Sequence, residues 1–247
     1  MFKELKNLLS FLTVLPFRMD QDLLSDCARF MFLFPLVGAF IGLLAGLFGW
    51  VVFSFLPGLV AGALVLGVLL LLTGLHHMDG LLDFGDGVMA HGSAERKIEI
   101  MHDQLTGAGG LTLGMMTLLI TTLALAQMNA GIIIQAVVIV EVAAKLSMVV
   151  GAWAGKAVHQ GMASSFLEAM HGSKGSLRLL AALAFSFGIA LPLLWVRGAV
   201  VVLAAVIASL VMVGVSHRNF KGVTGDVLGA TNEIARMVSV VVLVAVI

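Results

Sequence analysis

The chain is 247 residues long, 60% hydrophobic and only 11% charged, with a mean hydropathy of +1.11. Soluble domains carry about 25% charged residues, and one core of this size cannot hide so much apolar surface from water, so a multi-spanning membrane protein is implied. Fourteen basic residues balance fourteen acidic ones, which removes the basic excess that nucleic-acid binding draws on. The one cysteine, Cys27, excludes an internal disulfide and a thiolate-rich metal site.

In chain order, residues 1–18 come first. Phe2, Leu5, Leu8, Leu9 and Leu12 recur at helical spacing opposite Lys3, Glu4, Lys6 and Asn7, which predicts an amphipathic helix at the membrane interface, stopped by Pro16. Apolar runs follow at about 30–56, 59–75, 110–126, 132–153, 178–196 and 199–215. A last run from about 227 to Ile247 carries Asn232, Glu233 and Arg236, leaving roughly its final eleven residues free of charge. The expected fold is all-α: a single membrane-embedded domain over 1–247, a polytopic bundle of six to seven transmembrane helices with membrane lipids around it.

If the runs alternate sides, the N-terminus and the loops after runs two, four and six share one face. That face collects Lys3, Lys6, Arg18, Arg29, Arg96, Lys97, Lys156, Lys174, Arg178, Arg218, Lys221 and, early in the last run, Arg236. Arg197 lies opposite and Lys145 inside a span. The positive-inside rule makes the rich face cytoplasmic in a multi-pass protein of the cell membrane. The histidines and every acid but Glu141 fall there too, so an active site on that face is expected. Glu141 and Lys145, four residues apart at mid-span, read first as an internal ion pair. Gly38, Gly42 and Gly46 let helix backbones approach closely, and the same stripe leaves room for a homo-oligomer.

The chemistry concentrates in residues 76–109, where Asp79, Asp83 and Asp86 follow one another at i, i+4 and i+7 and share one helical face. Three carboxylates this close repel one another, and a cation removes the conflict. Oxygen donors without cysteine favour Mg²⁺ or, as the alternative, Mn²⁺, with sites left for substrate phosphates; the nearby histidines keep zinc as second choice. Gly80, Gly85 and Gly87 suggest close backbone approach to a ligand, or a helix broken near Gly85. Asp103, just before the third span, reads equally as a boundary carboxylate or a functional acid. Far along the chain, Asp226 and Glu233 are seven apart and share a face if that segment is helical.

These residues fall into blocks, SFLTVLPF at 10–17, FPLVGAFIG at 34–42, HMDGLLDFGDG at 77–87, EIMHDQLTGAGG at 99–110 and TGDVLGATNE at 224–233, and in that order they resemble the cobalamin synthases, the adenosylcobinamide-GDP ribazoletransferases. The resemblance implies a Mg²⁺-dependent membrane transferase. A hydroxyl of α-ribazole, or of its 5′-phosphate, attacks the corrinoid-linked phosphate of adenosylcobinamide-GDP, and GMP leaves. Carried over by position, Asp79, Asp83, Asp86, Asp103 and His77 match the family's acids and histidine and become the catalytic candidates. The first three would hold the metal against the diphosphate, and Asp103 would take the hydroxyl proton. Asp226 matches the acid of the C-terminal block, and substrate contacts are expected from Asp226, Arg96, Lys97, Asn232 and Glu233. Leu82 and Phe84 stand where the family often has alanine and threonine. His102 and Leu105 stand where it often has basic residues, with His102 and Arg96 as the available substitutes.

Two other classes compete. A CDP-alcohol phosphatidyltransferase would need Ala-Arg where Asp83-Phe84 stands, and its distal acids are misplaced. A cation transporter would put its polar groups near mid-membrane, where Glu141 and Lys145 stand.

Overall fold

A computed structural model describes residues 2–15, 23–159 and 161–247; Pro16 and Arg18, the expected helix stop and one of the topology charges, lie outside them. Among the described residues the fold is helical, with a single isolated bridge between Ala157 and Val223. The helices are α1 (Phe2–Leu12), α2 (Leu23–Arg29), α3 (Phe34–Phe53, entered through a 3-10 turn at Met31–Leu33), α4 (Gly58–Leu72), α5 (His76–Met89) and α6 (Ala94–Met101). They continue with α7 (Ala108–Leu125), α8 (Ile133–Ala154), α9 (Met162–His171), α10 (Gly175–Phe220) and α11 (Gly225–Val246).

Helix α8 has no polar face, and residues 136–152 are all buried. A helix apolar all round belongs at the centre of a bundle, and α3, α10 and α11 pack around it. The glycine stripe of α3 makes one of these contacts close. A Cβ on Gly38 would meet the Glu141 carbonyl oxygen at 2.5 Å, one on Gly42 the Val138 Cα at 2.7 Å, and one on Gly46 the Ile134 Cα at 2.9 Å. The stripe is therefore consumed inside the protomer and offers no surface for a homo-oligomer.

Helix α10 is two antiparallel arms. Leu194 and Trp195 leave helical geometry, with Trp195 at φ 51°, and Gly198 packs against the Ala190 carbonyl, a meeting that residues eight apart on a straight helix cannot make. The reversal sits beside Arg197, in the short connection expected between runs five and six. Among the described residues five helices are long and apolar enough to cross a membrane. The bent pair of Gly58–Leu72 and His76–Met89, taken as one span, makes a sixth, and the fold-back of α10 divides its 46 residues between two arms. The last run proves to be a continuous helix of 22 residues, because its charges are neutralised inside the bundle.

Helix α4 ends at Gly74 and Leu75, both left-handed at φ 65° and 64°, and α5 leaves at 96° to it. So sharp a turn lays α5 across the end of the bundle, against α7 and α11. The connections of that end are tied together. Lys97 Nζ donates to Asn219 Oδ1 at 2.7 Å, the Lys156 N–H to His217 Nε2 at 3.2 Å, and Arg178 to the Ala169 carbonyl at 2.5 Å. Helix α1 is docked on the bundle more firmly than an interfacial helix needs to be. Leu8 and Leu12 are buried, and so is Asn7, assigned above to the polar face, whose amide donates to Asp26 at 2.9 Å.

Candidate active site

Helix α5 is amphipathic across the end of the bundle. His77, Gly80, Leu81 and Phe84 are buried. Asp79 and His76 are exposed, and Asp83 and Asp86 are half-buried. The helix is unbroken at Gly85, contrary to one expectation, and its glycines serve neighbouring helices rather than a ligand. A Cβ on Gly80 would fall 2.8 Å from the Asp226 carbonyl oxygen, and one on Gly85 would fall 2.9 Å from the Gly110 Cα. The first contact brings the N-terminus of α11 against α5. Asp226 thereby joins acids more than 140 residues earlier in the chain.

The charges of that cluster act on Asp83. Burial first, then the negative charges of Asp79, Asp226 and Asp86, push its carboxyl up to about 7. Among the described residues, none of Asp79, Asp83 or Asp226 is ion-paired to a lysine or arginine; the nearest basic group is His102, its Nε2 3.9 Å from Asp226 Oδ2. Asp226 Oδ2 also accepts from the Thr224 hydroxyl at 3.3 Å, and Thr224 in turn caps α11 by accepting from the Val227 N–H.

Asp86 stands apart from the other two acids of its face. One carboxylate oxygen accepts from the Gly107 N–H at 2.7 Å and the other from the Gly110 N–H at 2.8 Å. It caps α7 from another helix, where a negative charge also meets the positive end of the helix dipole. Each oxygen thus accepts one backbone N–H, and among the described residues no three His, Cys, Asp or Glu side chains stand close enough to hold an ion together. Among the same residues, Asp79, Asp83 and Asp226 cap no neighbouring helix in this way.

Asp103 is exposed, and its Oδ1 accepts from the Leu105 N–H at 3.1 Å within the loop before α7. Arg96 pairs with Glu99 at 2.9 Å on the open surface, while Lys97 holds α6 to α10. The basic character beside the acids comes instead from imidazoles. The His102 ring meets His159 edge-on, with centroids 6.1 Å apart. His159 escaped the sequence reading because 57 residues separate it from His102 and no motif surrounds it.

Asn232 and Glu233 are placed elsewhere than at a substrate surface. They lie in a fully buried network beneath α5, joined by Glu141, Lys145 and Arg236. Arg236 Nε donates to Glu141 Oε1 at 2.5 Å and Arg236 Nη1 to Glu233 Oε2; Lys145 Nζ donates to Asn232 Oδ1 at 2.8 Å. Lys145 also lies 3.7 Å from Glu141. The expected Glu141–Lys145 pair is thus part of a balanced set of two acids and two bases, and Arg236 belongs to it rather than to the positive loops. From α5, His77 faces this network. Burial, with Lys145 and Arg236 beyond it, holds its pKa well below the usual histidine value, so the ring is neutral.

A cavity of about 410 Å³ opens beside Asp226. Its floor is made by α3, α5, α8 and α11 and its cover by α1, α2 and α9. His76, His77 and Asp226 edge it on one side, and Phe11, Phe34 and Phe166 wall it on the other.

The Cobalamin-5-phosphate synthase family model matches residues 4–244 of the chain. Similar curated proteins, each named adenosylcobinamide-GDP ribazoletransferase, include one from Methanocella arvoryzae, 35% identical over 98% of this chain and 95% of its own length. Another, from Methanococcoides burtonii, is 31% identical over 97% and 90%, and one from Thermococcus kodakarensis is 31% identical over 97% of each. No solved structure matches the chain. With the match running through both acid-bearing segments and every helix from α2 to α10, this chain belongs to the cobalamin-5-phosphate synthase family.

Proposed function

We propose that this transferase joins adenosylcobinamide-GDP to α-ribazole, or to α-ribazole 5′-phosphate, releasing GMP, with Mg²⁺ at the acid cluster. The observation that carries the reading is the convergence of Asp79, Asp83 and Asp226 at one end of the bundle, with no lysine or arginine paired to them among the described residues. In the reaction a ribose oxygen of α-ribazole bonds to the corrinoid-linked phosphorus, the phosphoanhydride bond to GMP breaks, and the hydroxyl proton passes to a carboxylate.

The donor set suits a hard divalent ion: free carboxylate oxygens, no thiolate, and few enough ligands that substrate phosphates complete the shell. Asp79 and Asp83 would hold Mg²⁺, with Mn²⁺ as the alternative, and the ion would offset charge on the diphosphate and on the leaving GMP. Asp226, the carboxylate at the cavity edge, takes the hydroxyl proton, a role that the loop-bound Asp103 is less well placed to fill. Asp86 holds the start of α7 in position, and His102 and His159 face the phosphates as hydrogen-bond donors. The excess of basic residues in the loops of this end supports a site on the cytoplasmic side of the cell membrane.

The test is GMP release by detergent-purified protein given adenosylcobinamide-GDP, α-ribazole and Mg²⁺. Release should need both substrates and should vanish with EDTA and in Asp83→Asn. Well-folded protein that releases no GMP would remove the assignment of substrates. Release that survives Asp83→Asn would keep the reaction and break the account of the metal.

A further inference from the structure

The cavity beside Asp226 divides sharply in character. On the side of α1, α3 and α9, Phe11, Phe34 and Phe166 form one aromatic cluster, with ring centroids 5.4 Å apart for Phe11–Phe166, 6.1 Å for Phe34–Phe166 and 6.4 Å for Phe11–Phe34. On the other side stand Asp226 and His77, the latter buried with an Nδ1 that has no hydrogen-bond partner among the described residues. Pockets of ~300–1,000 Å³ are the usual size for small ligands, and about 410 Å³ lies near the lower bound. A corrin macrocycle with its amide side chains is too large to enter. Guanine would fit by size, but its ring of donors and acceptors would face phenylalanine and lose its hydrogen bonds.

We infer that this cavity binds the acceptor nucleoside, taking a flat, apolar two-ring base against Phe11, Phe34 and Phe166 and presenting its ribose to Asp226. The inference deepens the proposed transfer reaction and rests on it. A ligand apolar at one end and hydroxylated at the other has one low-energy orientation in such a cavity, since reversal would bury the sugar against aromatic rings and leave Asp226 against the base. That orientation puts the attacking hydroxyl at Asp226, whose charge acts on Asp83. The corrinoid then remains outside, reaching the same edge through its diphosphate.

Ala163 on α9 and Met148 on α8 line the cavity from opposite walls, and neither belongs to the acid cluster. Ala163→Phe and Met148→Phe each place a ring in the space reserved for the base. Equilibrium dialysis of labelled α-ribazole, without the second substrate, should show its Kd raised at least about tenfold in either variant, while the Kd for adenosylcobinamide-GDP stays within about twofold. A melting scan identifies a variant that has failed to fold, and the other wall then supplies the answer. Equal weakening of both ligands, or unchanged α-ribazole binding in a folded variant, overturns the inference. So does loss of a co-purified phospholipid from the variants with α-ribazole binding intact, which would give the cavity to a lipid tail. Wild-type protein that binds neither substrate defeats the reaction itself, and is told apart by the absence of GMP release.

Discussion

Asp86→Ala tests the separation of one acid from its neighbours. Asp86 accepts two backbone N–H bonds, at 2.7 and 2.8 Å, from the first turn of α7. Hydrogen bonds to a charged group contribute about 1.5–3 kcal/mol when buried, and loss of a helix cap costs about 0.5–2 kcal/mol. Gly107 is exposed and Gly110 buried, so one bond is discounted and about 2 kcal/mol is the local cost. If α7 opens locally at its N-terminus, that cost becomes roughly 30-fold faster amide exchange over residues 104–111. Hydrogen-exchange mass spectrometry in detergent reads this directly. Asp86→Asn, which keeps one acceptor oxygen, should fall between the two, and Asp83→Asn should leave the segment unchanged. Exchange in Asp86→Ala within about twofold of wild type would refute the capping role and return Asp86 to the metal.

Four further outcomes are expected. Asp83 holds its proton up to about 7 in the folded protein against about 3.9 unfolded, so the metal-free protein loses stability as pH rises from about 4 through 7. With EDTA present, the melting temperature of Asp83→Asn should therefore gain on wild type across that window, and Mg²⁺ should close the gap. Arg236→Met strands Glu141 and Glu233 in the bundle and should cost about 3–5 kcal/mol, lowering the melting temperature and the yield of folded protein; adding Glu141→Gln should recover part of it. Gly42→Val drives a side chain into the α8 backbone and should cost about 1–3 kcal/mol. Gly67→Ala, with nothing within 4 Å of the new Cβ, should raise the melting temperature by an amount worth about 0.5–1 kcal/mol.

Local spacing carried the acid face well. The i, i+4, i+7 rule put Asp79, Asp83 and Asp86 on one face, because a helix fixes those directions whatever surrounds it. It could not distinguish Asp86, since its two partners are backbone amides 21 and 24 residues away, and backbone amides leave no mark in a sequence. The glycines were legible as close approaches but not as approaches to what: Gly80 and Gly85 admit other helices. The network of Glu141, Lys145, Asn232, Glu233 and Arg236 joins segments about 90 residues apart, and only the i, i+4 pair within α8 was visible. Charge counting set Arg236, early in the last run, with the basic face, because a run interrupted by three polar side chains looks too polar to span until their partners are known.

The wiring of that network bears on how the chain is assembled. Helix α8 enters the bilayer during synthesis with Glu141 and Lys145 at its middle, 3.7 Å apart in the finished protein. The guanidinium that grips Glu141 is 95 residues further on, in α11. Until α11 arrives, α8 is a poor guest for lipid, since an incompletely paired ionisable group at mid-membrane is costly. Insertion is thus not a series of independent crossings. The centre of the bundle is completed by α11, and a chain arrested before Arg236 leaves a charged core open, the kind of defect that membrane quality control can detect.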